Sequence, residues 1–495
     1  MKTNISLDKV KEIAELKIYK KVAVSSEILA DVRTPIELLR ILKAVSKHTY
    51  ILESAEENLT WGRYTFLGFE PKLEISLNNH RIKIKDKDGI KLEEKCMDPA
   101  KYIREILKEY KSPKQEELPS FTGGLVGYFS YDYIKYAEPK LKLEHSQGTD
   151  FKDMDMMLFD KIIAYDNYKQ KIIVIVNMDI SNENIEENYK TALEEIKRII
   201  ELIKSGKVKE EEKIKLLSDF EPLFNKEEYM QIVEKTKKYI YEGDIFQAVL
   251  SNKLEAKASG SLLDVYRRLR ISNASPYMFY FSSDDIEIAG ASPETLVKLE
   301  DKELSTFPLA GTRKRGMTEE EDKKLIKDLL SDEKEKAEHN MLVDLGRNDL
   351  GKISKFGSVK VDKYMEIVKF SHVMHIGSTV KSVIREDKDA LDAIEAVLPA
   401  GTLSGAPKIR ACEIIDELEK DKRGIYGGAI GYIDFSGNMD TCISIRLAYK
   451  KSDRLVIRSG AGIVADSYPE LEYEECVNKM KAVKYAIESA CKEDM

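Results

Sequence analysis

The sequence predicts an α+β fold built on largely antiparallel sheets, and three observations carry that expectation. Strand-like stretches crowd the middle of the chain with helices on their flanks, and the two do not alternate as a doubly wound fold requires. The 495 residues exceed what one core normally organises, so two domains are expected. The composition, 42% hydrophobic and 34% charged, is that of a water-soluble globular chain. A formal charge of -8 argues against a nucleic-acid surface. No apolar segment follows Lys2, so no secretory signal is expected. The longest aliphatic run, Ile172 to Val176, is far too short for a bilayer. Cys96, Cys412, Cys442, Cys476 and Cys491 are scattered without ligand or pairing spacing, which points to a reducing cytoplasm rather than a disulfide or zinc framework.

In chain order, helices are expected over Leu7–Leu16 and Thr34–Ser46, the second with Pro35 in its first turn. Tyr50–Leu52 reads as a strand, followed by a stretch with the single tryptophan, Trp61. Short strands at Ile75–Ile84 and Ile90–Leu92 carry Asn-Asn and Asp-Gly turns. Phe121–Asp132 has a glycine pair but lacks the spacing of a phosphate loop, so it reads as a tight turn with close backbone packing. Met156–Asp166 and Lys171–Met178 form a strand pair around Asn167, and a Lys/Glu-rich helix and linker follow. The domain boundary is placed at 218/219, giving an N-terminal domain, 1–218, and a C-terminal domain, 219–495.

Asn225 and Glu228 form a capping box for a helix that stops at Gly243. Gln247 lies in the next strand, Ile245–Leu254. Further strands span Ser275–Phe281 and Ile286–Leu299, and Pro308–Gly316 reads as a basic loop before a helix capped by Thr318 and Glu321. The stretch Glu335–Asp349 has a cap at Ser331–Glu333, an apolar stripe of Met341, Leu342 and Leu345, and a stop at Gly346. A strand with His372 and His375, a loop from Pro399 to Lys408, and three strands between Gly427 and Ile463 follow. A last helix opens with Ser467 and Glu470 as a capping box.

Glu335 and Glu338, three apart, share one helix face, as do Glu472 and Glu475. One such pair alone reads as a solvated acidic face. Two pairs facing each other across a cleft would repel unless a hard divalent cation sat between them, and Mg2+ would keep waters and leave room for an anionic substrate. Arg446, read as a strand residue on one face with Cys442 and Ser444, needs an anion that is either a structural carboxylate or a ligand. Gly460 and Gly462 either make a turn or let backbone N–H groups approach an anion. His372 and His375 would face opposite sides of their strand, so at most one enters a site. Glu294, after Ser-Pro, is a candidate proton donor if burial raises its pKa. Nothing points to an organic cofactor.

Read together, ILESAEENLTWGRY, GDIFQAVLS, SPYMFY, GASPETL, PLAGTRKRG, KAEHNMLVDLGRND, VMHIGS, PAGTLSGAPK, DTCISIR, GAGIVADS and the final ExxE resemble the chorismate-utilising enzyme family, in its order, over residues 51–479. Within that family they resemble the large subunits that convert chorismate and ammonia to anthranilate and pyruvate, the first committed step of tryptophan biosynthesis. The resemblance implies a two-domain fold with antiparallel sheets in a sandwich flanked by helices. It implies Mg2+ on Glu338 and Glu475, with Glu335 and Glu472 nearby. It assigns proton donation to Glu294, the enolpyruvyl carboxylate to Arg446, Tyr426 and the backbone of Gly460, Ala461 and Gly462, and the ring side to Gly311, Thr312 and His375. Lys479 would add positive charge.

Two positions separate members of the family. Water-using relatives carry a lysine where this chain has Gln247, and a neutral amide is a poor base. Relatives that form a covalent lysine adduct carry that lysine where this chain has Ala310. Both point to attack by ammonia. No amidotransferase cysteine elbow is present, so a separate glutamine amidotransferase subunit, and hence a hetero-oligomer, is implied. The resemblance also implies feedback inhibition by L-tryptophan at a site of Ser54, Pro276, Tyr277, Met278, Gly431, Tyr432 and Cys442, with the Glu53 region offering polar groups for the ammonium.

Overall fold

The computed structural model describes residues 2–55, 62–145, 151–369 and 373–492; Trp61 and His372 lie outside them. Local capping signals act as their chemistry dictates. Thr34 and Glu37 close a capping box on helix Pro35–Val45, and Asn225 and Glu228 close another on Lys226–Tyr241. Helix Leu7–Glu15 starts where Ser6 accepts from the Lys9 N–H.

The strands form two sheets of 13 and 12 strands, and every pairing among the described residues is antiparallel. The expected α+β class and sandwich are therefore present. Tyr50, Phe279 and Phe281 of the first sheet pack with Tyr128, Phe159 and Ile430 of the second in one buried cluster. The Tyr50 and Phe159 rings meet edge to face at 4.8 Å across the two sheets. Both sheets take strands from each side of 218/219. Strand Thr49–Glu53 pairs with Tyr277–Ser282 in the first, and Gly124–Phe129 pairs with Ala429–Asp434 in the second.

The chain changes sheet at two places that matter for the site. Strand Ile286–Ser292 belongs to the first sheet and Thr295–Glu300 to the second, with Glu294 between them. Strand Met439–Ile443 belongs to the second and Leu447–Lys451 to the first, with Arg446 between them. The two crossings are laced together, Ile443 N–H to Glu294 O at 2.9 Å and Ala291 N–H to Arg446 O at 3.1 Å.

Several local expectations change. Arg446 is not in a strand: its φ of +51° breaks the pleat, so it shares neither a strand nor a face with Cys442. Pro308–Gly316 is not a loop but contains strand Leu309–Lys314, because it finds strand Val373–Val383 as a partner. Gly346 does not stop the central helix, which runs Glu333–Gly351; its missing side chain instead admits Thr306, whose Cγ2 would lie 3.2 Å from a Cβ there. Ser467 and Glu470 do not box the last helix, Pro469–Lys492. The Ser467 hydroxyl accepts from Val464 N–H, and Glu470 pairs with Lys226. Phe121–Asp132 holds a strand, Gly124–Phe129, rather than a turn, and the close packing is real: a Cβ on Gly124 would lie 2.1 Å from Ile433 O.

Candidate active site

The two carboxylate helices are anchored differently. Asp332 caps Glu333–Gly351 by accepting from the N–H groups of Lys334 and Glu335, which places Glu335 and Glu338 in its first two turns. Glu472 and Glu475 lie in the first two turns of Pro469–Lys492. The helices do bring the carboxylates within mutual influence. Burial first, then the charges of Glu335 and Glu475, push the Glu338 pKa up, and burial followed by Glu475 does the same to Glu472.

The carboxylates already have local partners. Glu475 pairs with Lys479 at 2.7 Å, Glu335 with Arg313 at 3.4 Å, and Gln247 Nε2 reaches Glu338 Oε1 at 3.5 Å. Their oxygens are not packed as tightly as a closed ligand cage. Among the described residues the tightest group of candidate ligands is His48, Glu74 and Asp284, where Lys85 and Lys152 already supply the cations. A spread quartet of carboxylates, with burial and neighbouring charge raising the pKa of Glu338 and Glu472, suits Mg2+, which binds few carboxylates directly and keeps waters. Glu338 and Glu475 would hold such an ion, with Glu335 and Glu472 in support.

Strands complete the walls. In Leu309–Lys314 the register slips between Ala310 and Arg313, and the bulge turns Gly311 and Thr312 toward His375. Gly311 has φ +65°, and a Cβ on it would stand 3.1 Å from Glu335 Oε2, so glycine is needed for both conformation and room. His375 Nδ1 lies 2.7 Å from Gly311 O and 3.1 Å from Thr312 Oγ1. A carbonyl at that distance requires a proton on Nδ1. Burial drives the His375 pKa down to about 4, so the ring is neutral and Nε2 is the basic nitrogen.

Strand Arg454–Ile463 lies against Gln247–Ser259, with Val249 opposite Gly462 and Ser251 opposite Gly460. A Cβ on Gly462 would fall 2.5 Å from Gln247 Nε2, and one on Gly460 would fall 3.1 Å from Tyr426 Oη. Gly460 O accepts from Lys479 Nζ at 3.1 Å. Gly460, Ala461, Gly462, Gln247, Tyr426 and Lys479 therefore lie together.

Glu294 and Arg446 sit side by side at the two sheet crossings. Burial lifts the Glu294 pKa to about 8; the Leu309 N–H, the Thr402 hydroxyl at 3.5 Å, and the charges of Arg446 and Lys479 offset it only in part. Arg446 is half-buried, desolvation lowers its pKa, and Glu294 is the charge that opposes that shift. A protonated acid beside a half-buried cation suits an anionic substrate with a leaving group to protonate.

Two features carried no role in the sequence. Thr402, in the loop after Pro399, touches Glu294. Lys408, at the end of that loop, bonds Val397 O at 2.8 Å and Asp349 Oδ2 at 2.7 Å, which pins the loop to the Glu335/Glu338 helix. The stretches LGRND and SGAPK were visible, but nothing local says that they meet.

The region suggested for tryptophan is partly reorganised. Met278 pairs with Glu53, Ala55 N–H bonds Ser275 O, and Ser54 lies between. Glu53 is not available for an ammonium, because Arg270 Nε holds it at 2.5 Å and Tyr266 also donates to it. The carboxylate beside the aromatic residues is Asp440, which accepts from Tyr277 Oη at 2.8 Å and lies opposite Tyr432. Gly431 and Cys442 occupy the same strand pair.

This architecture and this set of side chains define a chorismate-binding enzyme. The family model described as chorismate binding enzyme matches residues 47–485, and the chain belongs to that family. Within it the chain groups with the anthranilate synthase component 1 proteins. It is 44% identical over 493 residues to that of Aquifex aeolicus, covering 99% of each chain, and 45% identical to that of Acetivibrio thermocellus, covering 98% of each. The crystal structure of anthranilate synthase component I from Streptococcus pneumoniae superposes with a TM-score of 0.74 at 39% identity, over 85% of this chain and 92% of that one. The Escherichia coli isochorismate synthase MenF shares the fold, with a TM-score of 0.70 at 17% identity over 97% of this chain and 98% of its own.

Proposed function

We propose that this chain converts chorismate and ammonia to anthranilate and pyruvate, with Mg2+ as cofactor and L-tryptophan as feedback inhibitor, in the cytoplasm. The observation that carries the choice of nucleophile is Gln247. Its Oε1 is buried and accepts no hydrogen bond, while its amide nitrogen faces Glu338. A neutral acceptor there can orient the N–H groups of ammonia but cannot deprotonate water effectively. Ala310 supplies no amine for a covalent adduct.

On this reading Arg446, the N–H groups of the Gly460–Gly462 strand, and Tyr426 hold the enolpyruvyl carboxylate. Glu294, protonated at neutral pH, donates to the departing 4-hydroxyl, and Arg446 beside it is left facing the anion that forms. Neutral His375, fixed by Gly311 O, lines the ring side as an acceptor. Mg2+ bound at Glu338 and Glu475 would supply Lewis-acid charge at the ring carboxylate. Ammonia comes from a separate glutamine amidotransferase subunit. Tryptophan binds near Ser54, Pro276, Tyr277, Met278, Gly431, Tyr432 and Cys442, between the proposed domains 1–218 and 219–495, with Asp440 rather than Glu53 as the ammonium's counter-charge.

The test is incubation of the purified chain with chorismate, Mg2+ and ammonium. Anthranilate fluorescence and equimolar pyruvate are expected, rising with free NH3, and glutamine alone should support neither. Another product, or efficient use of glutamine by the isolated chain, would refute the assignment.

A further inference from the structure

Strand Arg454–Ile463 presents Arg454, Val456, Arg458, Gly460 and Gly462 on one face by simple alternation. Its glycine end borders the active site. Its arginine end borders a separate cavity of about 60 Å³. Six cations line that cavity, Lys253, Lys422, Arg423, Lys451, Arg454 and Arg458, with Asp421 as the one carboxylate. Tyr449 and Phe151 form an aromatic side, their rings 4.9 Å apart.

Like charges are paired across the strands, because Lys253 lies directly opposite Arg458. Such a pairing is unfavourable unless an anion bridges it. Asp421 does so, at 3.2 Å from Lys253 and in direct contact with Arg458. Other cations lean on carboxylates that do not line the cavity: Lys422 on Asp153 at 2.6 Å, Arg423 on Glu419 at 2.5 Å, Arg454 on Glu255 at 2.8 Å and Lys451 on Asp285 at 3.4 Å. The cations that line the cavity are thus held in place by carboxylates mostly outside it. The Arg458 side chain is only 3% exposed, and its buried Nε–H has no acceptor. A buried guanidinium N–H without a partner is costly, and a bound anion is one arrangement that would satisfy it.

We propose that this cavity is a binding site for a small tetrahedral oxyanion, phosphate or sulfate, distinct from the chorismate site. Arg458 Nε–H and Lys253 would donate to it from one side and Lys451 and Arg454 from the other. The volume is several times the about 10–15 Å³ that one water needs. The site stands on the same strand face as Gly460 and shares Arg423 with the surroundings of Tyr426, whose ring centroid is 5.9 Å from that guanidinium.

The experiment is titration of the full chain with inorganic phosphate, and separately with sulfate and glycerol phosphate, at ionic strength held constant with NaCl. Binding is read by calorimetry and by the rise in Tm. Saturable binding of one anion per chain is expected, about tenfold weaker in Lys253→Met and in Lys451→Met, with chorismate turnover without added phosphate unchanged. Protection by inorganic anions alone assigns the site to a free oxyanion, and equal protection by glycerol phosphate assigns it to a phosphomonoester; both support the site. Absence of saturable binding to the parent protein, or equal affinity in both variants, overturns it.

Discussion

Replacing Glu294 with Gln tests the proton donor through two independent readouts. The carboxyl is buried at a sheet crossing, and its pKa stands at about 8 against an ordinary 4.5. Below about 4.5 the folded and unfolded chains both hold the proton, and the group has no effect on stability. Between about 4.5 and 8 the unfolded chain releases the proton while the folded chain keeps it, so stability falls by about 1.4 kcal/mol per pH unit and levels off above 8. The cost is about 3 kcal/mol at pH 7 and approaches about 5 kcal/mol above pH 8. Glutamine cannot ionise, so the stability difference between variant and parent should widen by about 3 kcal/mol in the variant's favour from pH 4.5 to 7. Turnover should fall by about 10²–10⁴, because the amide cannot protonate a departing hydroxyl. In the parent, the rate per free NH3 should decline above pH 8 as Glu294 ionises. Urea melts at several pH values and anthranilate fluorescence measure both. A pH-independent stability difference, or near-parental turnover of Glu294→Gln, would refute the reasoning.

Glu338→Gln should keep the fold, since it removes a charge that burial first, and then Glu335 and Glu475, disfavour, yet it should weaken Mg2+ and cut activity by orders of magnitude at limiting metal; unchanged Mg2+ dependence would contradict the ligand set. Ser54→Arg should relieve tryptophan inhibition and leave uninhibited turnover nearly intact, and superimposable inhibition curves would remove the site from this surface. Lys408→Met removes the 2.7 Å partner of Asp349, which keeps Lys352 at 3.3 Å, and frees the loop of Thr402, so a loss of about 1.5–3 kcal/mol is expected in denaturant melts. If the loop matters to Glu294, the alkaline limb of the pH–rate profile should also move in that variant.

The helices were legible because their signals are local. Thr34 with Glu37 and Asn225 with Glu228 act within one turn, and the i, i+3 spacing of the carboxylates follows from helical pitch alone. The same logic misled at Ser467 and Gly346, where contacts from far along the chain outbid the local rule: Lys226 captures Glu470, and Thr306 fills the space that Gly346 leaves. Pro308–Gly316 looked like a loop because its charges hid a strand that exists only when Val373–Val383 lies beside it.

What the amino-acid order determined by itself was the set of elements, the antiparallel class, and the identity of the groups in the site. The elements rest on periodicity and capping, readable within a few residues, and the site groups rest on the resemblance of motifs that keep the family's order over residues 51–479. Tertiary structure alone decided where those groups meet and in which protonation state. Gln247 and Glu338 are 91 positions apart, and Thr402 and Glu294 are 108 apart. Arg446 left its expected strand because the chain must change sheets there, and a left-handed residue makes that turn. Glu294 and His375 owe their neutral forms to desolvation, and burial is a property of everything packed around a group, not of its neighbours in the sequence.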